Sequence, residues 1–151
     1  MVGENNPFNI KFSKRNHWFG QTGSKRGFCE FDTLEHGVRA CYLLLCNYIR
    51  SNYDSIERII NRFAPETENN SLAYISFVCK YTVYGNHNLG AKPVKALDQL
   101  NPKDRIFTYR NLFRLMSSMA WFETHTALSS EDIIRLLDFR KDMLNSRISL
   151  L

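Results

Sequence analysis

Carboxylates are the side chains in this sequence best suited to chemistry. The chain lacks phosphate-binding glycine loops, the G-x-G-x-x-G and G-x-S-x-G motifs, and a convincing Cys/His pair. Cleavage of a glycosidic bond needs a carboxylic acid in an apolar setting, where its pKa is raised and it can protonate the leaving oxygen. The first question is therefore which carboxylate has apolar neighbours.

Glu123 has such neighbours. It follows Met-Ala-Trp-Phe (119–122) at the end of the most apolar predicted helix. A carboxylate near a helix C-terminus also meets the negative end of the helix dipole, which raises its pKa further. The alternative interpretation is a last-turn glutamate whose side chain reaches solvent past a buried Trp and Phe.

Glu30 is the second candidate carboxylate. It lies between Cys29 and Phe31 in GFCEF (27–31), a segment that alternates like a strand. If Cys29 and Phe31 face the core, Glu30 faces the solvent or a groove. It is then a candidate second carboxylate or a residue that supports the first.

Length and composition predict one globular domain that spans residues 1–151. The 151 residues are 44% apolar and 23% charged, which is typical of soluble proteins with a real core. No stretch approaches the roughly 18 consecutive apolar residues of a membrane span. The first ten residues, MVGENNPFNI, contain no apolar run, so no signal peptide is expected and the chain is expected to be made in the cytoplasm.

The cysteines and histidines indicate neither a disulfide framework nor a metal site. The four cysteines form no C-x-x-C pair and lie within apolar runs, which favours reduced, buried thiols. The four histidines are scattered without the spacing of zinc ligands. We therefore expect no metal and no cofactor.

The net charge of +5 and a pI near 9.1 are compatible with three classes of partner: DNA, anionic lipid and acidic cell-wall polymers. The basic residues form short clusters and no long run, which is typical of an ordinary solvated surface. Charge alone does not choose among these partners.

Periodicity predicts a mostly α fold with at most a small β-hairpin. Capping boxes that start at Asp32 and Asp54 open the first two helices, and Pro65 ends the second. In the third helix, Leu72, Ile75 and Cys79 are expected to share one face with Val83. The predicted elements are an irregular arm packed on the body (1–26), a strand (27–31), helices at 34–51, 56–63 and 70–84, a loop with a turn of helix at 93–100, and helices at about 102–123 and 130–145.

Four blocks of motif-like sequence follow one another along the chain. They are NPFNI (6–10) with WFGQ (18–21), FCEFD (28–32) with GVRA (37–40), SIERIINRFAPETEN (55–69) continuing to Tyr74, and MAWFE (119–123). In this order they resemble the motifs of small phage-type lysozyme-like proteins, which are virion structural proteins or virion-associated peptidoglycan transglycosylases. The resemblance runs from residue 6 to about residue 124, and the third block is its most specific part.

The sequence departs from the family pattern at several positions. Phe63 stands where the family usually has Trp, Glu66 where it has a second Pro, and Ser71 where it has Thr. After Glu123 the chain continues with Thr-His, where the family has Asn-Gly. Residues 125–151 have no recognised counterpart.

The resemblance implies a lysozyme-like helical domain that binds and cleaves the glycan strands of peptidoglycan. Glu123 would be the general acid, with Glu30 or a bound water completing the site. Because only one acid is well placed, a lytic transglycosylase route, in which the substrate supplies its own nucleophile, fits better than hydrolysis by two carboxylates. The implied sugar-contacting residues are Trp18, Gln21, Arg62, Glu68, Asn69 and Tyr74.

Two other functions remain open. The first is a non-catalytic virion structural or cell-wall-binding protein on the same scaffold, in which the corner at 62–74 only joins two helices. The second is a basic nucleic-acid-binding protein, although no recognition helix with basic and amide residues on one face stands out. For the two leading functions, other virion proteins are further candidate partners, and the protein would be carried in the virion or released by lysis.

Overall fold

Five helices and two short hairpins form the part of the chain that this computed structural model describes, namely residues 2–65, 70–80, 82–83, 93–94 and 109–137. The prediction of a mostly α fold with a small hairpin is confirmed. The elements are β1 (Gln21–Lys25), β2 (Phe28–Phe31), α1 (Leu34–Arg50), α2 (Ile56–Phe63), α3 (Ser71–Lys80), β3 (Thr82–Val83), β4 (Pro93–Val94), α4 (Tyr109–Thr124) and α5 (Ser130–Leu136).

The first hairpin, β1 and β2, is antiparallel and turns at Arg26 and Gly27. Both turn residues have positive φ, 53° and 84°, the geometry that suits the twist of a two-residue hairpin. In β2, Cys29 and Phe31 are buried and Glu30 is half-buried, so the alternation predicted from the sequence is observed. The segment predicted as an irregular arm thus contains a strand, β1.

The first two helices begin one residue later than the predicted capping boxes. Thr33 caps α1 by accepting from the backbone N of His36 at 3.2 Å, and Ser55 caps α2 by accepting from the backbone N of Arg58 at 3.2 Å. Asp32 instead contacts Nδ1 of His36 at 2.6 Å. The predicted cap positions were wrong because a hydroxyl residue follows each aspartate and reaches the third helical amide itself.

Helix α3 begins where it was predicted but buries a different face. Asn70 caps it through its side-chain oxygen, while Leu72 is 71% exposed. Tyr74 and Val78, four residues apart, are fully buried instead. The predicted stripe was therefore wrong at Leu72, whereas Ile75 and Cys79 are half-buried and pack against the core. Helix α3 ends at Lys80, so Val83 lies in β3.

Helices α4 and α5 agree with the predicted pattern over their described residues. Phe113, Met116 and Ala120 are fully buried, and Ser129 forms a complete capping box with Asp132 at the start of α5. Residues 95–108 and 138–151 lie outside the described residues, and so does the predicted extension of the last helix to 145. Of the turn of helix predicted at 93–100, residues 93–94 form β4.

The N-terminal segment is part of the core. Phe8, Ile10 and Trp18 belong to the same buried cluster as the helices. The side chain of the buried Asn6 bonds to the backbone of both the N-terminal segment and β2. Its amide donates to the carbonyls of Ile10 and Cys29 at 3.0 and 2.9 Å, and its oxygen accepts from the N of Ile10 at 2.9 Å. An irregular segment can be buried here because its polar backbone groups are satisfied.

Close approach to α1 fixes the course of this segment. A Cβ atom on Gly37 would lie 1.9 Å from the carbonyl oxygen of Asn5, so only glycine fits at that position of the helix.

Three of the cysteines are buried free thiols and Cys79 is half-buried. None of the helices in the described part of the chain has the length and hydropathy that a membrane crossing requires.

Candidate functional site

Glu123 lies in the last turn of α4, where the N-terminal segment crosses the helix end. The side-chain amide of Asn9 donates to both the carbonyl oxygen and Oε1 of Glu123, each at 3.3 Å. The neighbouring hydroxyl of Thr124 donates to the carbonyl oxygen of Pro7 at 2.8 Å. Residues more than 110 positions apart thus hold the Glu123 carboxyl in place.

The surroundings of Glu123 favour its protonated form. Burial is the largest effect and raises the pKa of the carboxyl above its ordinary value. The Tyr74 hydroxyl, the Asn9 amide and the positive charge of Lys11 act in the opposite direction and reduce this rise. The net result is a carboxylic acid with a raised pKa, as predicted from its apolar sequence neighbours.

Tyr74 and Cys41 complete the buried side of the Glu123 environment. The pKa values of both groups are raised, first by burial and then by the negative charge of Glu123. The Tyr74 ring stacks on Phe122 with 4.0 Å between ring centroids. Its hydroxyl has no hydrogen-bond partner of good geometry, so its interaction with Glu123 is a close polar contact that is poorly aligned.

A cavity of about 470 Å³, which we call the cleft, opens between the N-terminal segment, α1 and the C-terminal end of α2. It combines aromatic, amide and basic side chains, a mixture suited to a polar ring-shaped ligand. Asn9 and Lys11 line the cleft and also act on the Glu123 carboxyl, whereas Glu123 itself is not one of the lining residues. The lining residues are Asn9, Ile10, Lys11, Ser13, Asn16, Trp18, Leu44, Tyr48, Arg62, Phe63 and Pro65.

Two of the sugar-contacting residues implied by the resemblance line the cleft. Arg62 is exposed, whereas Trp18 is only 9% exposed and packs in the core where it lines the cleft. Truncating Trp18 would consequently remove core packing as well as any sugar contact. Gln21 does not line the cleft; its Oε1 accepts from the backbone N of Trp18 at 3.0 Å and so helps to position Trp18.

The other candidates do not line the cleft or lie outside the described residues. Tyr74 has no exposed surface with which to contact a sugar and faces Glu123 instead. Glu30 accepts from the backbone N of Glu4 at 3.1 Å, and no contact joins it to Glu123. Glu68 and Asn69 lie outside the described residues, so their roles stay predictions.

Sequence reasoning missed Asn9, Lys11 and Tyr48 as site residues. Asn9 was visible as part of the NPFNI block, and its positive φ of 52° turns the chain toward the end of α4. Tyr48 was visible on the predicted stripe of α1, where it was interpreted as a core residue. No local signal marks Lys11, since its role depends on where the N-terminal segment lies.

No group of three or more His, Cys, Asp or Glu side chains in the described ranges is arranged to hold a metal ion.

Comparison with known proteins links part of the chain to a phage protein. No protein family model matches the sequence. Protein P5 of Pseudoalteromonas phage PM2 is 41% identical over 83 residues, a segment that covers 52% of this chain and 52% of Protein P5. The chain thus spans about half the length of that relative. These comparisons lend no support to the lysozyme-like family, which stays a hypothesis based on the motifs.

Proposed function

We propose that the protein cleaves the glycan strands of peptidoglycan, with Glu123 as the general acid. The observation that carries this proposal is the Glu123 carboxyl: burial raises its pKa, and two of the side chains that act on it, Asn9 and Lys11, also line the cleft. A protonated carboxyl in such a setting can donate its proton to the oxygen of a glycosidic bond.

The chemistry follows from having one acid. Glu123 donates its proton to the leaving oxygen as the C1–O bond breaks, and positive charge develops at C1 of the sugar. Glu30 does not contact Glu123, so the nucleophile is assigned to the substrate itself, through a hydroxyl or N-acetyl group. An intramolecular hydroxyl that attacks C1 returns its proton to the Glu123 carboxylate. This is the route of a lytic transglycosylase.

The similarity to Protein P5 of phage PM2 supports a phage setting for this activity. The motif resemblance to phage-type lysozyme-like proteins points in the same direction and suggests a lysozyme-like fold. We propose that the protein is carried in the virion or released by lysis, where it meets the cell wall.

A second candidate function is a non-catalytic virion or wall-binding protein. The contacts of Asn9 with Glu123 and of Thr124 with Pro7 favour it, because they join the N-terminal segment to α4. In this alternative, Glu123 is a structural anchor and its proton is never transferred.

Replacing Glu123 by glutamine separates the two functions. Glu123→Gln keeps the size of the side chain and an oxygen that can accept from Asn9, but it removes the transferable proton. We expect release of soluble glycan from purified peptidoglycan to fall about 10²–10⁴-fold, while the circular dichroism spectrum remains that of the wild-type fold.

The matched control is Glu131→Gln, which changes an exposed glutamate in the first turn of α5. It should leave glycan release unchanged. Full activity of Glu123→Gln would refute the catalytic role of this residue. An inactive wild-type protein on several purified walls would favour the structural function.

A further inference from the structure

Two cations line the cleft on different elements. Lys11 comes from the N-terminal segment and Arg62 from the last turn of α2. The Lys11 charge already acts on the Glu123 carboxyl and lowers its pKa. Arg62 is exposed at the cleft, and its contacts among the described residues are with two tyrosine rings.

Arg62 is also held in position. Its guanidinium carbon lies 5.6 Å from the ring centroid of Tyr53 and 6.0 Å from that of Tyr48, both within the range of cation–π contacts. These rings restrict a side chain that would otherwise lose much freedom on binding. A guanidinium held in this way is suited to a bidentate contact with a planar anionic group such as a carboxylate.

The remaining cleft walls suit a sugar. Tyr48 offers aromatic surface, and the exposed amide of Asn16 offers both donors and acceptors. The oxygen of the Asn9 amide is buried and has no hydrogen-bond partner within the described chain. A neutral sugar would use the rings and amides and leave Arg62 without a partner.

We propose that the cleft recognises a glycan that bears a carboxylate, and that Arg62 selects it by binding that carboxylate. The proposal rests on the proposed function and adds the substrate class: a saccharide with an acidic substituent, such as a peptide-bearing amino sugar, in preference to a neutral oligosaccharide. Arg62 binds the acid group, while the aromatic and amide walls hold the sugar ring.

The probe that tests this is a disaccharide–peptide fragment of peptidoglycan with free carboxylates, compared with the same fragment after its carboxylates are converted to methylamides. Titrations use the Glu123→Gln protein, so that no cleavage occurs. We expect the acidic fragment to bind roughly fivefold to tenfold more tightly than the amidated one. This preference should shrink as salt is raised, because the exposed guanidinium is screened.

Arg62→Gln should reduce binding of the acidic fragment to the level of the amidated one and leave the latter unchanged. Arg26→Gln is the matched control, since Arg26 is an exposed cation in the turn of the first hairpin and away from the cleft lining. It should leave the preference intact.

Three results would overturn the inference. They are equal binding of the two fragments, equal losses in Arg62→Gln and Arg26→Gln, and tighter binding of an oligothymidylate of the same charge. The first two leave the proposed cleavage intact, because the effect of Glu123→Gln on glycan release is measured separately. The third would place a nucleic acid in the cleft.

Discussion

Glu123 and Asp132 are two largely buried carboxylates only nine positions apart, yet their surroundings are opposite. Asp132 lies in the first turn of α5, where its Oδ2 accepts from the backbone N of Ser129 at 2.9 Å and its Oδ1 contacts Arg135. Glu123 lies in the last turn of α4 and receives one side-chain amide, from Asn9 at 3.3 Å.

The helix ends add to this difference. The positive end of a helix dipole stabilises the charge of Asp132, whereas the negative end opposes the charge of Glu123. A carboxylate with a donor on each oxygen at a helix start is suited to holding that helix start in place. A carboxyl with few donors at a helix end is available for proton transfer. Burial alone does not distinguish the two; the count of donors and the end of the helix do.

Replacing Asp132 should produce the largest change in stability. Asp132→Ala removes the capping box and leaves the Ser129 amide without its acceptor, so we expect the free energy of unfolding to fall by about 1–3 kcal/mol. Urea unfolding measures this, with Glu131→Ala on the same turn as the exposed control, which should change stability by less than about 0.5 kcal/mol. Equal effects of the two substitutions would break the comparison.

The stability of the protein should fall with rising pH through the titration of Glu123. A carboxyl whose folded pKa is raised binds its proton more tightly in the folded state, so stability is lost as pH rises from the ordinary value of 4.5 to the raised one. Glu123→Gln should remove this loss. The difference in free energy of unfolding between the two proteins should therefore move in favour of Glu123→Gln across that window and stay constant above it.

Urea unfolding at a series of pH values from 4 upward checks this prediction. Activity gives a second measurement, because the protonated acid is the working form and glycan release should decline as pH rises through the raised pKa. A difference in stability that does not vary with pH would show that the Glu123 carboxyl titrates as it does in the unfolded chain.

The smallest expected effect is a shift of this activity profile. Tyr74→Phe removes the hydroxyl that lowers the pKa of Glu123 while keeping the ring that packs on Phe122. The declining limb of the pH profile should therefore move to higher pH. Tyr42→Phe is the control: its hydroxyl is also buried without a partner, but its surroundings are Cys46 and Arg50. Equal shifts in both variants would contradict a direct role of Tyr74.

The raised pKa of Glu123 could be predicted from the sequence because its signals are local. A glutamate after an apolar run has apolar neighbours in adjacent positions, and burial is the largest cause of its raised pKa, while its role as the acid stays a prediction. The same holds for β2 and for the Ser129 cap, which depend on periodicity and on contacts within one turn. Local signals fail where two polar residues compete for one position, as Asp32 and Thr33 do at the start of α1.

The cleft could not be predicted in the same way. Asn9 and Lys11 enter it only because the N-terminal segment crosses α1 at Gly37, a close approach that no short stretch of sequence reveals. Tyr74 was expected to contact sugar but is buried, since α3 turns its Tyr74–Val78 face to the core and leaves Leu72 outside. Such placements depend on which elements pack together.

The bond between Asn9 and Glu123 also has a consequence for the timing of biosynthesis. Its partners are 114 positions apart, so the N-terminal segment has no acid to hold until the chain has been made through α4. At roughly 5–20 residues per second, that interval is on the order of ten seconds. During this time the nascent chain carries an N-terminal segment without its docking site, and the contact between Asn9 and Glu123 forms only after α4 has been made.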